Sequence, residues 1–242
     1  MRQLVTHECF SIGLMTSIYV PSQGPESWQQ FLAEPQKQWK TGYSAKSLAY
    51  NWEEAKGFPV EIQQSLETAP NPELHELEPL LIIPEHKVPL PGGSTASQND
   101  AFVLARSDFG LVSITIEGKV EEPFGQLVKD WKPDSSAGKQ TRLDYLTGLL
   151  GLSDKDINHI YYQLLHRTAS ALIEAERFHA NTAVMLVHSF SQDHLWFDAF
   201  ADFAKALGII DIKPGIVRPV PMNLGTPLYI GWVTGNPEHL TR

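Results

Sequence analysis

The sequence contains a single cysteine, Cys9, among its 242 residues. One cysteine cannot form an intramolecular disulfide or a cysteine zinc cluster, so disulfide-stabilised secreted domains and zinc fingers are excluded. The chain also lacks a run of about 18 uninterrupted apolar residues, so no membrane-spanning helix is expected. These absences favour a cytoplasmic protein that has no membrane partner.

Positive charge is also scarce. Lysine and arginine total 19 residues against 28 aspartates and glutamates, which gives a formal net charge of -9. Overall charge therefore provides no attraction to nucleic acid, whose binding depends on positive side chains near the phosphates. A DNA or RNA partner would need a local basic groove, and the candidate residues for it are Arg106, Lys139, Arg142 and Arg167.

The chain does have enough apolar material for a substantial core. Hydrophobic residues make up 42% of the 242 residues, and this length suits one large domain. No internal repeat, low-complexity tract or long linker separates two domains in the sequence. We therefore expect a single domain over residues 17–242, preceded by a loosely ordered N-terminal extension over residues 1–16.

Hydrophobic periodicity predicts helices and strands in a mixed order. Ser44 is expected to cap a helix over residues 44–57, in which Leu48 and Trp52 share an apolar face. A proline-broken extended segment follows, and then the strands DAFVLARS and LVSITIEGKVEE predict a β-hairpin. Helices, the buried strand NTAVMLVHSFS, another helix and two strand-like runs complete the chain. This order indicates an α/β fold with a mixed sheet flanked by helices.

The second strand of the hairpin carries a charged pair. Side chains alternate along a strand, so Glu117 and Lys119 point to the same face. Five stretches of the chain place an acid two residues before a lysine, so this spacing alone carries no information. Glu117 and Lys119 differ from the others because they end a well-patterned strand whose hairpin partner begins with Asp100. The runner-up is the stretch EHK at residues 85–87, which lies between two prolines.

Two carboxylates and a lysine at one end of a hairpin suit phosphodiester hydrolysis. Asp100 and Glu117 provide the hard oxygen ligands that Mg²⁺ prefers, with Mn²⁺ as a substitute, and Gly118 allows its carbonyl to approach the ion. A bound cation lowers the pKa of a water molecule, and Lys119 stabilises the attacking hydroxide and the charge that develops on the phosphoryl group. The residues thus predict a metal site at Asp100, Glu117 and Gly118 and a catalytic role for Lys119.

The same residues and element order resemble the PD-(D/E)XK superfamily, the restriction-endonuclease-like nucleases, from about Ser44 to Phe190. The resemblance implies a restriction-endonuclease-like fold in which Asp100 is the motif aspartate. It implies that Glu117 and Lys119 are the terminal acid and lysine of the motif. The chain departs from the pattern at residue 99, where an asparagine stands in place of the family's frequent proline.

Further site residues follow from this resemblance. Glu53, which borders the apolar stripe of the helix 44–57, matches a catalytic glutamate that this helix often supplies. Gln163 is similar in placement to a catalytic glutamine of some members, and Arg167 stands one turn on, where those members have tyrosine. Arg167 and Arg142 are substrate-binding candidates, as phosphate contacts. The stretches SAKSLAYNWEEAKGFP and IEGKVEEPFG are also similar to an uncharacterised bacterial protein family that has no assigned activity.

Structural alternatives are open for these residues. Glu117 and Lys119 could form an ion pair on a solvated sheet, worth about 0 to 1 kcal/mol. The protein would then be a non-catalytic binding or assembly protein of the same fold. His188, followed by Asp193 and His194, is expected to be a hydrogen-bonded structural residue rather than part of a proton-transfer site. The residues leave open whether the nucleic acid is DNA or RNA and whether the chain forms a homodimer.

Overall fold

Six β-strands are present in the computed structural model, which describes residues 22–132, 136–221 and 224–242. The expected extension over residues 1–16 lies outside these ranges. In chain order the strands are β1 (Glu78–Val88), β2 (Ser97–Ser107), β3 (Gly110–Lys119), β4 (Thr182–Ser189), β5 (Val217–Pro219) and β6 (Leu228–Thr234). They form one sheet in the order β1-β2-β3-β4-β6-β5, so the predicted hairpin supplies its second and third strands.

The sheet is mixed. Strands β1, β2 and β3 are antiparallel, β3, β4 and β6 are parallel, and β5 is antiparallel to β6. Strand β1 forms one edge, a position that suits the prolines of its segment because proline cannot donate a ladder hydrogen bond. The parallel pair β3-β4 needs a crossover, which the helices between these strands provide. The prediction of an α/β fold with a mixed sheet flanked by helices is confirmed at this level.

Helices cover both faces of the sheet. In the described part of the chain they are α1 (Pro35–Gln38), α2 (Ser44–Ala55), α3 (Val60–Leu66), α4 (Val128–Trp131), α5 (Ala137–Leu149), α6 (Tyr162–Phe178) and α7 (Phe197–Ala206). Apolar side chains of α5, α6 and α7 form a core on one face of the sheet, and those of α2 and α3 form a core on the other. Across the three described ranges, no helix has both the length and the apolar character needed to cross a membrane.

Buried hydroxyl groups of β3 attach α6 to the sheet. Ser113 Oγ donates to the carbonyl of Ala171 at 2.9 Å, and Thr115 Oγ1 donates to the carbonyl of Arg167 at 3.1 Å. Alternation along the strand gives Glu117 the same face as these two side chains. The attachment therefore brings Arg167 of α6 next to Glu117.

Helix α2 begins differently from the prediction. Tyr43 occupies the capping position and Ser44 is the first helical residue. The N–H and the hydroxyl of Ser44 both donate to Glu122 Oε1, each at 2.9 Å. The cap is therefore a carboxylate from the loop after β3, a long-range contact that local sequence does not reveal. Leu48 and Trp52 are buried, as their helical spacing predicted.

Candidate functional site

Three acidic residues lie in a row across three neighbouring strands. The last ladder pair of β2 and β3 at this end of the sheet is Ala101 with Ile116, and Asp100 and Glu117 come next on the two strands. On β1, residues 84 and 86 pair with residues 101 and 99, so Glu85 falls opposite Asp100. The hairpin thus brings Asp100 and Glu117 together, and the edge strand adds a third acid.

The three acids line a cleft of about 370 Å³. Its other walls are the first residues of α2, part of the segment 32–38, and the loop after β3. The cleft also contains Gly118, Lys119, Glu122, Gln163 and Arg167. Most of the residues predicted for the site therefore meet in one place, although they come from two strands and a helix that are distant in sequence.

Glu117 is held between two cations. Lys119 Nζ lies 2.6 Å from Oε1, and Arg167 Nε donates to Oε2 at 2.5 Å. Burial alone would raise the pKa of Glu117, but the neighbouring Arg167 and Lys119 charges lower it below its ordinary value. The same-face ion pair of the structural alternative is therefore present, but Glu117 is 2% exposed and Lys119 is 4% exposed, so the solvated setting of that alternative is wrong. The pair lies inside the fold because α6 covers this face of β3.

Asp100 and Glu85 have the opposite environment. Burial and the Glu117 charge raise the pKa of Asp100 to about 7. Burial and the Asp100 charge raise the pKa of Glu85 well above its ordinary value, although the Gln98 amide donates to its Oε2 at 2.7 Å. Neither acid forms an ion pair with a cation of the described residues. The cleft therefore holds two carboxylates whose negative charge is incompletely balanced.

Gly118 positions Asp100 through its N–H group. This N–H donates to Asp100 Oδ2 at 2.6 Å. A Cβ atom at residue 118 would lie 3.2 Å from the same oxygen and 3.5 Å from the Ser44 Cβ, so a side chain would crowd the carboxylate. The sequence interpretation gave Gly118 a role through its carbonyl, whereas the contact observed is the hydrogen bond from its nitrogen.

Gln163 and Arg167 enter the cleft from the beginning of α6. The Oε1 atom of Gln163 is buried and accepts no hydrogen bond from any residue in the described ranges. Arg167 Nη1 donates to Ser97 Oγ at 3.2 Å, in addition to the Nε bond with Glu117. The Nε atom of Arg167 thus binds the Glu117 carboxylate, so it is not available to a phosphate group. The Oε1 atom of Gln163 remains available as a hydrogen-bond acceptor.

Glu53 and Arg106 lie outside this acidic cleft. Glu53 is outside the cleft, where it accepts hydrogen bonds from Ser22 and, at 2.8 Å, from Trp28 Nε1. The stripe of α2 that Glu53 borders is covered by the 3₁₀ segment Pro25–Phe31, whose buried indole needs an acceptor. Arg106 pairs with Glu78 at 2.7 Å near the other end of the hairpin. The structure therefore places neither Glu53 nor Arg106 at the cleft, and the position of Glu53 gives no support to its predicted catalytic role.

Arg142 lies outside the acidic cleft. Its Nε atom donates to the Pro91 carbonyl at 2.9 Å, and Nη2 lies near the carbonyls of Leu90 and Gly93 at 3.4 and 3.3 Å. Arg142 lines a neighbouring cleft that also contains Lys139 and Arg167. Its predicted contact with substrate at the acidic cleft is not supported by this position, because the arginine holds the loop between β1 and β2.

His188 is a buried structural residue, as the sequence predicted. Trp52 Nε1 donates to its Nδ1 at 3.3 Å, and its Nε2 lies 3.3 Å from Glu61 Oε1. Burial raises the pKa of Glu61, but the hydrogen bond and charge of His188, together with hydrogen bonds from the backbone and Asn51, lower the pKa to about 2. His188 therefore connects α2, α3 and β4 on the face of the sheet opposite Glu117.

The described ranges contain no group of three or more His, Cys, Asp or Glu side chains arranged to hold a metal ion. In the acidic cleft, the carboxylate oxygens of the kind that suit Mg²⁺ belong to Asp100 and Glu117, with Glu85 and Glu122 as neighbours. Sequence reasoning ranked Glu85 second because prolines interrupt its strand. Glu85 is identified by the pairing of β1 with β2, which places it opposite Asp100. This pairing is known only from the three-dimensional structure.

Residues 21–237 match the family model of a domain of unknown function, DUF6946, so the chain belongs to this family. No curated protein and no solved structure matches the chain.

Proposed function

We propose that this member of the DUF6946 family hydrolyses phosphodiester bonds of nucleic acid at the cleft of Asp100, Glu117 and Lys119, with a divalent cation. The observation that carries the proposal is the composition of this one cleft. It combines Asp100 and Glu85, which have no ion-pair partner among the described residues, with a buried lysine and an unused glutamine acceptor. Incompletely balanced acids in a cleft are typical of sites that bind a cation.

The topology supports a restriction-endonuclease-like fold of the PD-(D/E)XK type. The chain runs through helix α2, strand β1, the hairpin β2-β3, the helices α5 and α6 and strand β4, in the order that the resemblance implies. The hairpin carries Asp100 and the Glu117–Lys119 motif near one end. This arrangement is what the motif requires, because its acid and lysine act on a group bound beside the aspartate.

The residues present fit a hard divalent cation such as Mg²⁺, or Mn²⁺ in its place. Asp100 and Glu117 would hold it, since each carboxylate oxygen has lone pairs beyond its present hydrogen bond. Proximity of a cation would also offset the repulsion that raises the pKa of Asp100. When bound, the ion would lower the pKa of a water molecule and neutralise phosphate charge.

The chain's own residues supply the remaining chemistry. Lys119, held 2.6 Å from Glu117, places a positive charge where negative charge develops during attack on phosphorus. The buried Oε1 of Gln163 accepts a hydrogen bond from the attacking water and so orients it. Arg167 fixes the Glu117 carboxylate through its Nε bond and is a positioning residue.

A non-catalytic binding or assembly role is the second candidate. It is favoured by the way both oxygens of Glu117 are engaged by Lys119 and Arg167, which is the arrangement of a self-contained structural ion network. Such a network stabilises one packing of β3 against α6 without any ligand. In that case the lysine would matter for folding and not for cleavage.

A nuclease assay separates the two candidates. The purified protein is incubated with Mg²⁺ or Mn²⁺ and duplex DNA, single-stranded DNA or RNA, beside Asp100→Asn, Lys119→Gln and the control Asp108→Asn. Asp108 is exposed at the turn of the same hairpin. We expect Asp100→Asn and Lys119→Gln to lose at least about 100-fold in cleavage rate, as groups that act on the transition state do.

The control should cleave like the wild type, and EDTA should abolish cleavage. Absence of cleavage by the folded wild type on all three substrates, or equal rates for wild type and Lys119→Gln, would favour the non-catalytic role. Thermal unfolding of each variant shows whether a loss of activity reflects a loss of the fold.

A further inference from the structure

A second cleft of about 480 Å³ adjoins the acidic cleft. It lies between the loop that joins β1 to β2 and the first turns of α5 and α6. The two clefts share two residues, Gln98 and Arg167. A ligand long enough to contact both would therefore run past Arg167.

The two clefts differ in the charges that line them. The second cleft is lined by three cations, Lys139, Arg142 and Arg167, and by no acidic residue of the described ranges. The acidic cleft combines four acids, namely Glu85, Asp100, Glu117 and Glu122, with the cations Lys37, Lys119 and Arg167. The chain as a whole carries a formal net charge of -9, so this concentration of positive charge is local. Its charge suits an anion.

Arg142 is buried without a counter-charge. The residue is 7% exposed, and the hydrogen bonds of its Nε and Nη2 atoms go to the neutral carbonyls of residues 90, 91 and 93. It forms no ion pair with a carboxylate in the described part of the chain. Burying a charge without a partner of opposite sign is costly, so an anion in the cleft would offset this cost.

Lys139 is the second cation of this wall. Its Nζ donates to the Trp131 carbonyl at 2.6 Å and lies 5.2 Å from the centre of the Trp131 ring. Trp131 in turn stacks on Tyr162, with ring centres 3.9 Å apart and planes inclined by 10°. These contacts hold the ammonium group at the cleft without neutralising it, because none of them is to a described carboxylate.

His166 is a neutral polar group of the second cleft. Burial, and then the charges of Arg167, Arg142 and Lys119, lower its pKa well below the ordinary value. The imidazole is therefore neutral, and its Nδ1 lies 2.8 Å from Ser97 Oγ. The positive charge of the cleft therefore comes from Lys139 and the two arginines, and neutral polar groups such as His166 lie between them.

The loop of the cleft is fixed by a close contact between two glycines. A Cβ atom on Gly92 would lie 2.1 Å from the Gly138 carbonyl oxygen, and one on Gly138 would lie 2.4 Å from the Gly92 oxygen. Only residues without side chains fit this approach of the loop to α5. Together with the bonds of Arg142, the contact gives a cleft that is organised before a ligand binds.

We propose that the second cleft binds a backbone phosphate of a nucleic-acid strand whose neighbouring phosphodiester lies at Asp100 and Glu117. This proposal rests on the proposed function, which assigns phosphodiester cleavage to the acidic cleft. It adds that the next phosphate of the same strand binds in the second cleft. A strand carries its charges at short, regular intervals, so it can place one phosphate among cations and another at the acids. A free phosphate ion has the same local chemistry and would occupy the second cleft alone.

Binding of a fluorescein-labelled single-stranded oligonucleotide, followed by anisotropy in EDTA, tests this inference. Lys139→Gln is compared with Lys129→Gln, an exposed lysine of α4 outside the cleft, and with Lys139→Arg. We expect Lys139→Gln to weaken binding about three- to tenfold near 0.1 M salt and to reduce the salt-dependence slope by about 0.7. Lys129→Gln and Lys139→Arg should bind like the wild type.

Equal affinity for Lys139→Gln and Lys129→Gln, with both proteins folded by circular dichroism, would overturn the proposal. Displacement of the oligonucleotide by inorganic phosphate would also overturn the proposal, if it occurs when the concentration of inorganic phosphate equals that of the oligonucleotide phosphates. The occupant of the cleft would then be the free ion. Since EDTA removes divalent cations, binding is measured apart from hydrolysis. Absence of cleavage by the wild type together with Lys139-dependent binding would reject the proposed function but leave the phosphate contact at the second cleft standing.

Discussion

At the scale of single residues, three acids of the same cleft have different proton affinities. Glu117 lies between two cations, which lower its pKa, whereas burial and then repulsion from a neighbouring acid raise the pKa values of Asp100 and Glu85. The sequence cannot show this difference, because it depends on how deeply each acid is buried and on which charges lie beside it in the folded protein. The difference identifies Asp100 and Glu85 as the acids that would gain most from a nearby cation.

Asp100 should make the stability of the protein fall with rising pH. Its pKa is raised from 3.8 to about 7, so between these values the folded state binds more protons than the unfolded state. The free energy of unfolding, measured by urea denaturation in EDTA, should therefore decrease between pH 5 and pH 8. After allowance for solvent screening at the cleft, this decrease should be about 1 kcal/mol larger for the wild type than for Asp100→Asn. A difference between the two proteins that is the same at both pH values would contradict this prediction. Asp108→Asn serves as the control.

Glu53 and Glu85 mark the limits of prediction from sequence. The helical wheel correctly placed Glu53 beside the buried stripe of α2, but that border is occupied by the segment of Trp28. The prolines beside Glu85 make it the second choice from sequence, whereas the register of β1 sets it opposite Asp100. Both outcomes depend on how distant elements pack against each other, and sequence periodicity does not encode that packing.

At the scale of elements, the hairpin was the best predicted feature. Alternation of apolar and polar residues gave both strands, and the short turn gave their antiparallel pairing, so the position of Asp100 beside Glu117 followed from local pattern. The start of α2 was not predictable in this way. Its capping carboxylate, Glu122, comes from a loop 78 residues away from Ser44.

Glu122 should contribute to stability through this cap. Its Oε1 accepts from the N–H and hydroxyl of Ser44, and its Oε2 accepts from the Val120 N–H at 2.8 Å. Glu122→Ala should lower the free energy of unfolding by about 1 kcal/mol, as the loss of a helix cap does, in urea denaturation. Glu121→Ala, which changes the exposed neighbouring acid, is the matched control. Equal losses for the two variants would show that the cap contributes nothing.

At the scale of the whole molecule, charge is separated rather than uniform. The composition excluded attraction to nucleic acid through net charge, so a nucleic-acid partner would need a local basic groove. Three of the four residues predicted for that groove, Lys139, Arg142 and Arg167, line the second cleft, while Arg106 lies elsewhere. The fold class and the candidate residues of a basic groove were thus available from sequence. The division into an acidic and a basic cleft was not, because it arises from the contact of α5 and α6 with the loop after β1.

The central claim is that the acidic cleft binds a divalent cation through Asp100. Titration of the protein with Mn²⁺, followed by the electron paramagnetic resonance signal of the free ion, tests it directly. We predict that the wild type and Asp108→Asn bind Mn²⁺ with equal affinity and that Asp100→Asn binds at least about tenfold more weakly. Equal binding by all three folded proteins, or no binding by the wild type, would contradict the account.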